Sequence, residues 1–171
     1  MFDVSPYVEC LFQVHPDTAT QIINHESGGH PNAINVNAMH GKPRPVYTQP
    51  KKRQDAVTLA KRFIQQGYTV DMGLMQINSN NLQPYGVTTE EIFDPCINIR
   101  IGSRILYNAY QRTILTTPDP QNALLKALSV YNTGDMRRGF ANGYVARYTV
   151  HNTQLPAHNS TVIDMGDLYD D

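Results

Sequence analysis

The chain has 171 residues and a formal net charge of −1, which suits one domain with a conventional core and supplies no global field to recruit nucleic acid or an anionic membrane. Charged residues make up 17%, below the roughly 25% usual for soluble domains; 14 Asn and 11 Gln fill part of the gap, and such neutral amides suit hydroxyl and acetamido ligands. No window approaches the ~18 consecutive apolar residues of a bilayer span.

The start, Met1-Phe2-Asp3-Val4-Ser5-Pro6, lacks the basic residues and apolar run of a signal peptide. That fits either a cytoplasmic protein or a mature exported chain whose leader has been removed. The first fifteen residues read as an extended arm. Pro16 can open a helix with Asp17 in its first turn, and Ala19, Ile22, Ile23 and Glu26 recur at helical spacing. From Gly28 to Pro50 the chain is too rich in Gly, Pro and Asn for a helix. Short β-like pieces at Ala33–Asn37 and Val46–Thr48 suggest a small irregular lobe.

A second helix fits Gln54 to Gln66, with Gly67 as its C-terminal cap, and Tyr68-Thr69-Val70 reads as a strand leading into a turn at Gly73. Thr88 and Glu91 match a capping box. Asp94-Pro95 and Asp119-Pro120 each pair an N-cap acid with proline at the first helical position. Gly134 ends the second of these helices, and a last one is expected from Tyr144 to about Gln154. The expected organisation is a mainly helical α+β domain over 1–155, then a flexible tail, 156–171, carrying Asp164, Asp167, Asp170 and Asp171.

Glu26 is the candidate for chemistry. A helix would fix its direction, and Gly28 and Gly29 would let another chain approach unobstructed. A carboxylate at the negative end of a helix is unfavourable; the same placement, with partial burial, raises a carboxyl pKa toward what a general acid needs. The run His25-Glu26-Ser27-Gly28-Gly29-His30 looks like a zinc-protease signature, but its histidines are five apart rather than four. That swings the second about 140° off the helical face, so no metal site is expected and His25 reads as a solvated helix residue. Cys10 and Cys96 are open between a disulfide and two separate buried thiols.

Two further segments follow Glu26-Ser27: Asp71-Met72-Gly73-Leu74-Met75-Gln76-Ile77-Asn78 and Tyr131-Asn132-Thr133-Gly134. In this order they resemble the motifs of the lytic transglycosylases in the lysozyme superfamily, over most of the chain from about Cys10 to Tyr148. The resemblance implies a lysozyme-like fold with a small β-containing lobe beside an active-site cleft. Peptidoglycan glycan strands would be the substrate and Glu26 the catalytic acid. Ser27, Gly73, Met75, Gln76, Tyr131 and Asn132 would bind substrate or support the site, with Leu74 and Met75 packing beneath it. Tyr144, in Asn142-Gly143-Tyr144-Val145, is a further such residue, with core packing as its rival role. No metal or organic cofactor is implied.

The same segment and Phe93-Asp94-Pro95-Cys96-Ile97-Asn98-Ile99-Arg100 are similar to the subgroup that accompanies type IV secretion and conjugation systems. That implies a periplasmic protein opening the wall locally for such a machine, and there a Cys10–Cys96 disulfide is favoured. Asp71 complicates a direct transfer of roles. Asp-Met-Gly-Leu-Met-Gln-Ile-Asn-Ser also resembles a segment of animal-type lysozymes whose aspartate is the second catalytic carboxylate. Asp71 could play that part in a hydrolytic muramidase, or could be a turn residue bonding backbone amides. A non-catalytic wall-binding assembly factor is the rival from outside enzymology.

Overall fold

The computed structural model describes residues 1–149. The expected acidic tail, and the last helix beyond Thr149, lie outside the described residues. Seven α-helices and one three-stranded antiparallel sheet are formed there: α1 Pro16–Ser27, β1 Ile34–Val36, α2 Arg53–Gln65, β2 Val70–Met72, β3 Ile77–Asn78, α3 Leu82–Tyr85, α4 Pro95–Ile114, α5 Pro120–Thr133, α6 Arg138–Ala141 and α7 Ala146–Thr149. Short 3-10 turns occupy Ser5–Cys10, Ser79–Asn81 and Glu91–Phe93. The mainly helical α+β class expected from the sequence is the one observed.

The chain divides into two compact units. One comprises Met1–Cys10 with Ile22–Gly102; the other comprises Leu11–Gln21 with the described residues from Ser103 onward. In the first, the arm is not extended: Asp3 Oδ1 accepts from Ser5 N–H at 3.0 Å and starts the 3-10 turn, which ends at Cys10. Cys10 is bonded to Cys96 in the first turn of α4. The sheet follows the order β1-β2-β3, with Asn35 opposite Asp71 and Asp71 opposite Asn78. Its period of two buries Ile34, Val36, Val70, Met72 and Ile77 on one face and turns Asn35, Asp71 and Asn78 to the other. Helix α2 adds Ala56, Val57, Ala60 and Phe63 to this core.

The expected strand at 46–48 is absent, because side chains take the place of a backbone ladder. Tyr47 OH accepts from Val36 N–H at 3.0 Å and donates to Ile34 C=O at 3.2 Å; the Gln49 amide accepts from Ile34 N–H at 3.1 Å and donates to the same carbonyl at 2.6 Å. These bonds close the outer edge of β1, which an edge strand otherwise leaves open to pairing. The strand expected at 68–70 begins instead at Val70, because Tyr68 is a buried side chain whose hydroxyl donates to Pro43 C=O at 2.8 Å.

The local helix signals are realised as bonds. Thr88 N–H donates to Glu91 Oε2 at 2.8 Å and Glu91 N–H to Thr88 Oγ1 at 3.2 Å, although the helix they cap is only the 3-10 turn Glu91–Phe93. These bonds, the Thr88 backbone N–H first and its hydroxyl second, hold the Glu91 carboxyl below its ordinary pKa. A folded-state pKa below the unfolded one gives a stabilisation present above the ordinary carboxylate range and lost as pH falls through the folded value. Asp94 and Asp119 accept from Ile97 N–H and Asn122 N–H at 3.0 and 2.8 Å, and Gly134 ends α5 with φ 73°.

In the second unit, Phe12 N–H donates to the buried Ser103 Oγ at 2.9 Å, and the Phe12 ring meets Tyr107 edge-on. Thr113, fully buried, donates to Ala123 C=O at 2.7 Å and so joins α4 to α5. Helix α6 is not legible in the sequence: four residues carry no periodicity, and it is held by Ser129 Oγ accepting from Gly139 N–H at 2.8 Å. The helix expected from Tyr144 starts two residues later, after a turn in which Gly143 is left-handed at φ 79°, Tyr144 N–H donates to Asn142 Oδ1 at 3.0 Å and Val145 N–H to Gly139 C=O at 3.0 Å.

The disulfide closes a sequence separation of 86 residues. Replacing both cysteines by serine should lower the unfolding free energy by about 2–4 kcal/mol, measured by urea denaturation. The unsubstituted protein under reductant should fall to the same value; an unchanged midpoint would deny the bridge any part in stability.

Candidate functional site

Glu26 lies in the last turn of α1, half-buried, as the spacing predicts. The turn after it is built by two successive left-handed glycines, Gly28 at φ 62° and Gly29 at φ 82°, a region where side-chain-bearing residues are strained. Ser27 organises that turn: its hydroxyl donates to Ile23 C=O at 3.1 Å and accepts from Gly29 N–H at 3.2 Å. A Cβ on Gly29 would sit 3.2 Å from the Phe2 side chain, and Phe2 N–H donates to Asn24 Oδ1 at 2.9 Å. The chain leaves the acid through a fixed bend. His25 is half-buried beside it, and His30 lies beyond the helix end. No group of three or more metal-binding side chains occurs among the described residues.

The segment Gly73–Gln76 connects β2 to β3. Gly73 has φ 75° and Gln76, without the excuse of a missing side chain, φ 49°. A non-glycine residue there persists when its surroundings over-determine it, and they do. Gln76 N–H donates to Gly73 C=O at 3.2 Å, and its Nε2 donates to Gly73 C=O at 2.9 Å and Ala33 C=O at 3.2 Å. Carbonyls only accept, so the amide is oriented with its NH₂ inward and Oε1 left as the acceptor it can offer. Leu74 and Met75 are buried at 1% and 0% exposure. Met75 therefore supports the turn from beneath.

The group that fixes this turn is Asn98, on α4 and 1% exposed. Its Nδ2 donates to Met72 C=O at 2.9 Å and Ile92 C=O at 2.8 Å, and its Oδ1 accepts from Met75 N–H at 2.8 Å. The approach is so close that a Cβ on Gly73 would lie 2.3 Å from Asn98 Nδ2; one on Gly102 would lie 2.5 Å from Met75 Sδ. Neither Asn98 nor Gly102 stands out as a site residue in the sequence. The available signal is one amide among the apolar residues Ile97, Ile99 and Ile101 at the start of a helix.

Asp71 is a strand residue, not a turn residue, and its partners are side-chain amides. Asn35 and Asn37 donate to its Oδ2 at 3.1 and 3.0 Å, and Asn78 donates to Oδ1 at 2.7 Å. One carboxylate thus links all three strands across the outer face of the sheet. The alternation Ile34-Asn35-Val36-Asn37 carried the signal for the two amides that sequence reasoning missed.

Tyr131, Asn132 and Tyr144 belong to the second unit. Tyr131 is half-buried at the end of α5. Exposed Asn132 accepts from Asn142 Nδ2 at 3.0 Å. Tyr144 is 4% exposed, and its hydroxyl accepts from that of fully buried Tyr148 at 2.9 Å. Core packing is thus part of Tyr144's role.

A half-buried glutamate ending a helix before a left-handed glycine turn, in a helical domain with a three-stranded antiparallel sheet, defines a lysozyme-like fold. The family described as Transglycosylase SLT domain matches residues 6–152, and the chain belongs to that family. It is similar to the type IV secretion system protein virB1 of Brucella abortus biovar 1 (strain 9-941), 37% identical over 133 residues, covering 77% of this chain and 54% of that protein. Protein virB1 of Agrobacterium fabrum (strain C58 / ATCC 33970) is 33% identical over 147 residues, covering 86% of this chain and 58% of the relative. The chain thus spans little more than half the length of these relatives. No solved structure matches it.

Gly73→Ala should cost about 2–4 kcal/mol, combining left-handed strain with the clash against Asn98. Asn98→Ala should cost a similar amount, about 2–4 kcal/mol, by orphaning one buried N–H and two carbonyls. Because both act on one contact, the double variant should lose clearly less than the sum. Additive losses in denaturant titrations would mean that the two residues act separately.

Proposed function

We propose that the protein is a periplasmic lytic transglycosylase that cleaves the β-1,4 bond between N-acetylmuramic acid and N-acetylglucosamine in peptidoglycan, opening the wall locally for a secretion or conjugation apparatus. The observation that carries the reading is Glu26, half-buried in the last turn of α1 and followed by the Gly28-Gly29 bend, in a chain of the SLT family. The relatives named for type IV secretion support the setting, and an intact disulfide suits an oxidising compartment.

Glu26, carrying its proton, donates it to the glycosidic oxygen as the bond to C1 breaks. The 2-acetamido group of the substrate stabilises the oxocarbenium-like centre, a substrate-assisted route outside the two-carboxylate scheme. Ionised Glu26 then takes the proton of the muramoyl C6 hydroxyl, whose oxygen attacks C1. The product is a 1,6-anhydro end, Glu26 regains its proton, and no water is consumed. Gln76 Oε1, left as an acceptor by the inward orientation of its NH₂, suits a sugar hydroxyl or acetamido N–H.

One observation favours a second reading, a hydrolytic muramidase using Glu26 and Asp71: the Asp71 carboxylate is held in place by three amides. Product mass separates the two, because hydrolysis adds water and leaves a reducing end. Released muropeptides should be anhydro species with no ¹⁸O from labelled water. Glu26→Gln should cut turnover by at least about 10³-fold while glycan binding changes little. Asp71→Asn should cost far less, about tenfold or under. An Asp71→Asn loss as deep as that of Glu26→Gln would favour the two-carboxylate enzyme, and wall binding without any muropeptide release would favour a non-catalytic assembly factor.

A further inference from the structure

Residues 28–54 hold five of the chain's 14 Lys and Arg, namely Lys42, Arg44, Lys51, Lys52 and Arg53, and none of its 15 Asp and Glu. A net charge of −1 hides this asymmetry. All five are exposed. Among the described residues none is paired with a carboxylate: Lys42 Nζ donates to Gln66 C=O and lies over the Tyr68 ring, and Arg53 donates to Glu90 C=O at 2.8 Å. Arg44, Lys51 and Lys52 project into solvent.

A run of cations is ordinarily a solvated loop, but this one is pinned at intervals. Tyr68 OH holds Pro43 C=O at 2.8 Å, and Tyr47 and Gln49 are bonded to β1. Asn32 Nδ2 donates to Lys51 C=O at 2.9 Å, and Pro43, Pro45 and Pro50 stiffen the path. The loop itself holds no side chain that could neutralise the charge, while those that fix its backbone are present. A pre-positioned set of cations meets a polyanion with less ordering entropy left to lose.

We infer that this loop is a docking surface for the free carboxylates of the wall's peptide stems, with Arg44, Lys51 and Lys52 as the contacting cations. It rests on the reading of peptidoglycan as substrate and adds to it a preference for strands whose stems are intact and anionic. An anionic lipid surface fits less well. Val46 is the one fully exposed apolar side chain of the loop, at 97%, and it stands between Pro45 and Tyr47 in irregular backbone rather than on an amphipathic helix.

The test compares the full chain with the triple variant Arg44→Gln/Lys51→Gln/Lys52→Gln, both carrying Glu26→Gln so that the polymer survives. Binding is measured on native sacculi, on sacculi with amidated stem carboxylates, on stem-free glycan strands and on vesicles of anionic phospholipid. The chain without the triple change should bind native sacculi roughly tenfold more tightly than amidated ones, an advantage that shrinks with salt. The triple variant should bind both alike and match its parent on stem-free glycan. Equal binding of the two proteins to native sacculi overturns the proposal. So does an equal loss on stem-free glycan, or a cation effect confined to vesicles. Failure of the parent reading looks different: the unsubstituted protein then releases no muropeptide and its Glu26→Gln form does not bind stem-free glycan.

Discussion

The Asn98 side chain is the constraint on which the sheet unit depends. One buried amide closes β2 at Met72, receives the turn at Met75 and fastens the 3-10 turn Glu91–Phe93 through Ile92. Each of those backbone groups would otherwise be buried without a partner, at about 1–3 kcal/mol apiece. The two glycines follow from it. Gly73 is there because Asn98 comes within van der Waals range of its α-carbon, and Gly102 because Met75 lies against the next turn of α4. The left-handed Gln76 is then the far end of a loop whose near end has no freedom left.

The same unit repeatedly uses side chains where larger proteins use backbone ladders. With strands of three, three and two residues, the sheet has too few interstrand bonds to define itself. Tyr47 and Gln49 supply bonds along its outer edge, and Asp71 supplies three across its exposed face. The amide-rich composition is therefore partly structural: Asn35, Asn37, Asn78 and Asn98 hold the fold together.

What could be read from the sequence divides by range. Caps and stops were legible because donor and acceptor lie within about four residues: Asp94 with Ile97, Asp119 with Asn122, Thr88 with Glu91, and Gly134 after α5. Glu26 at a helix end before a bend was legible for the same reason. The bonds of Tyr47 to Ile34, Asn98 to Met72 and Gln76 to Ala33 join residues 13, 26 and 43 positions apart, and no local pattern announces them. Hence an edge closed by side chains resembles a strand at 46–48 in the sequence, and nothing local distinguishes Asn98 from any other helical amide. The role of Asp71 fell between the two cases. Its neighbour Asn78 is close in sequence, but Asn35 and Asn37 reach it only once β1 has folded back.

The orientation of these amides also limits what the site can offer a ligand. Asn35, Asn37 and Asn78 direct N–H groups at Asp71, and Gln76 directs its NH₂ at two carbonyls. Asn37 Oδ1 is then taken by Asn35, and Asn78 Oδ1 by Asn80 N–H. That leaves Gln76 Oε1 and the Asp71 carboxylate as acceptors the site can offer. Such a surface complements hydroxyl and acetamido N–H donors and repels bare carboxylates, whereas the loop of Arg44, Lys51 and Lys52 does the reverse. On the proposed reading, a glycan backbone and its anionic stems would present those two chemistries, the acceptors suiting the one and the cations the other.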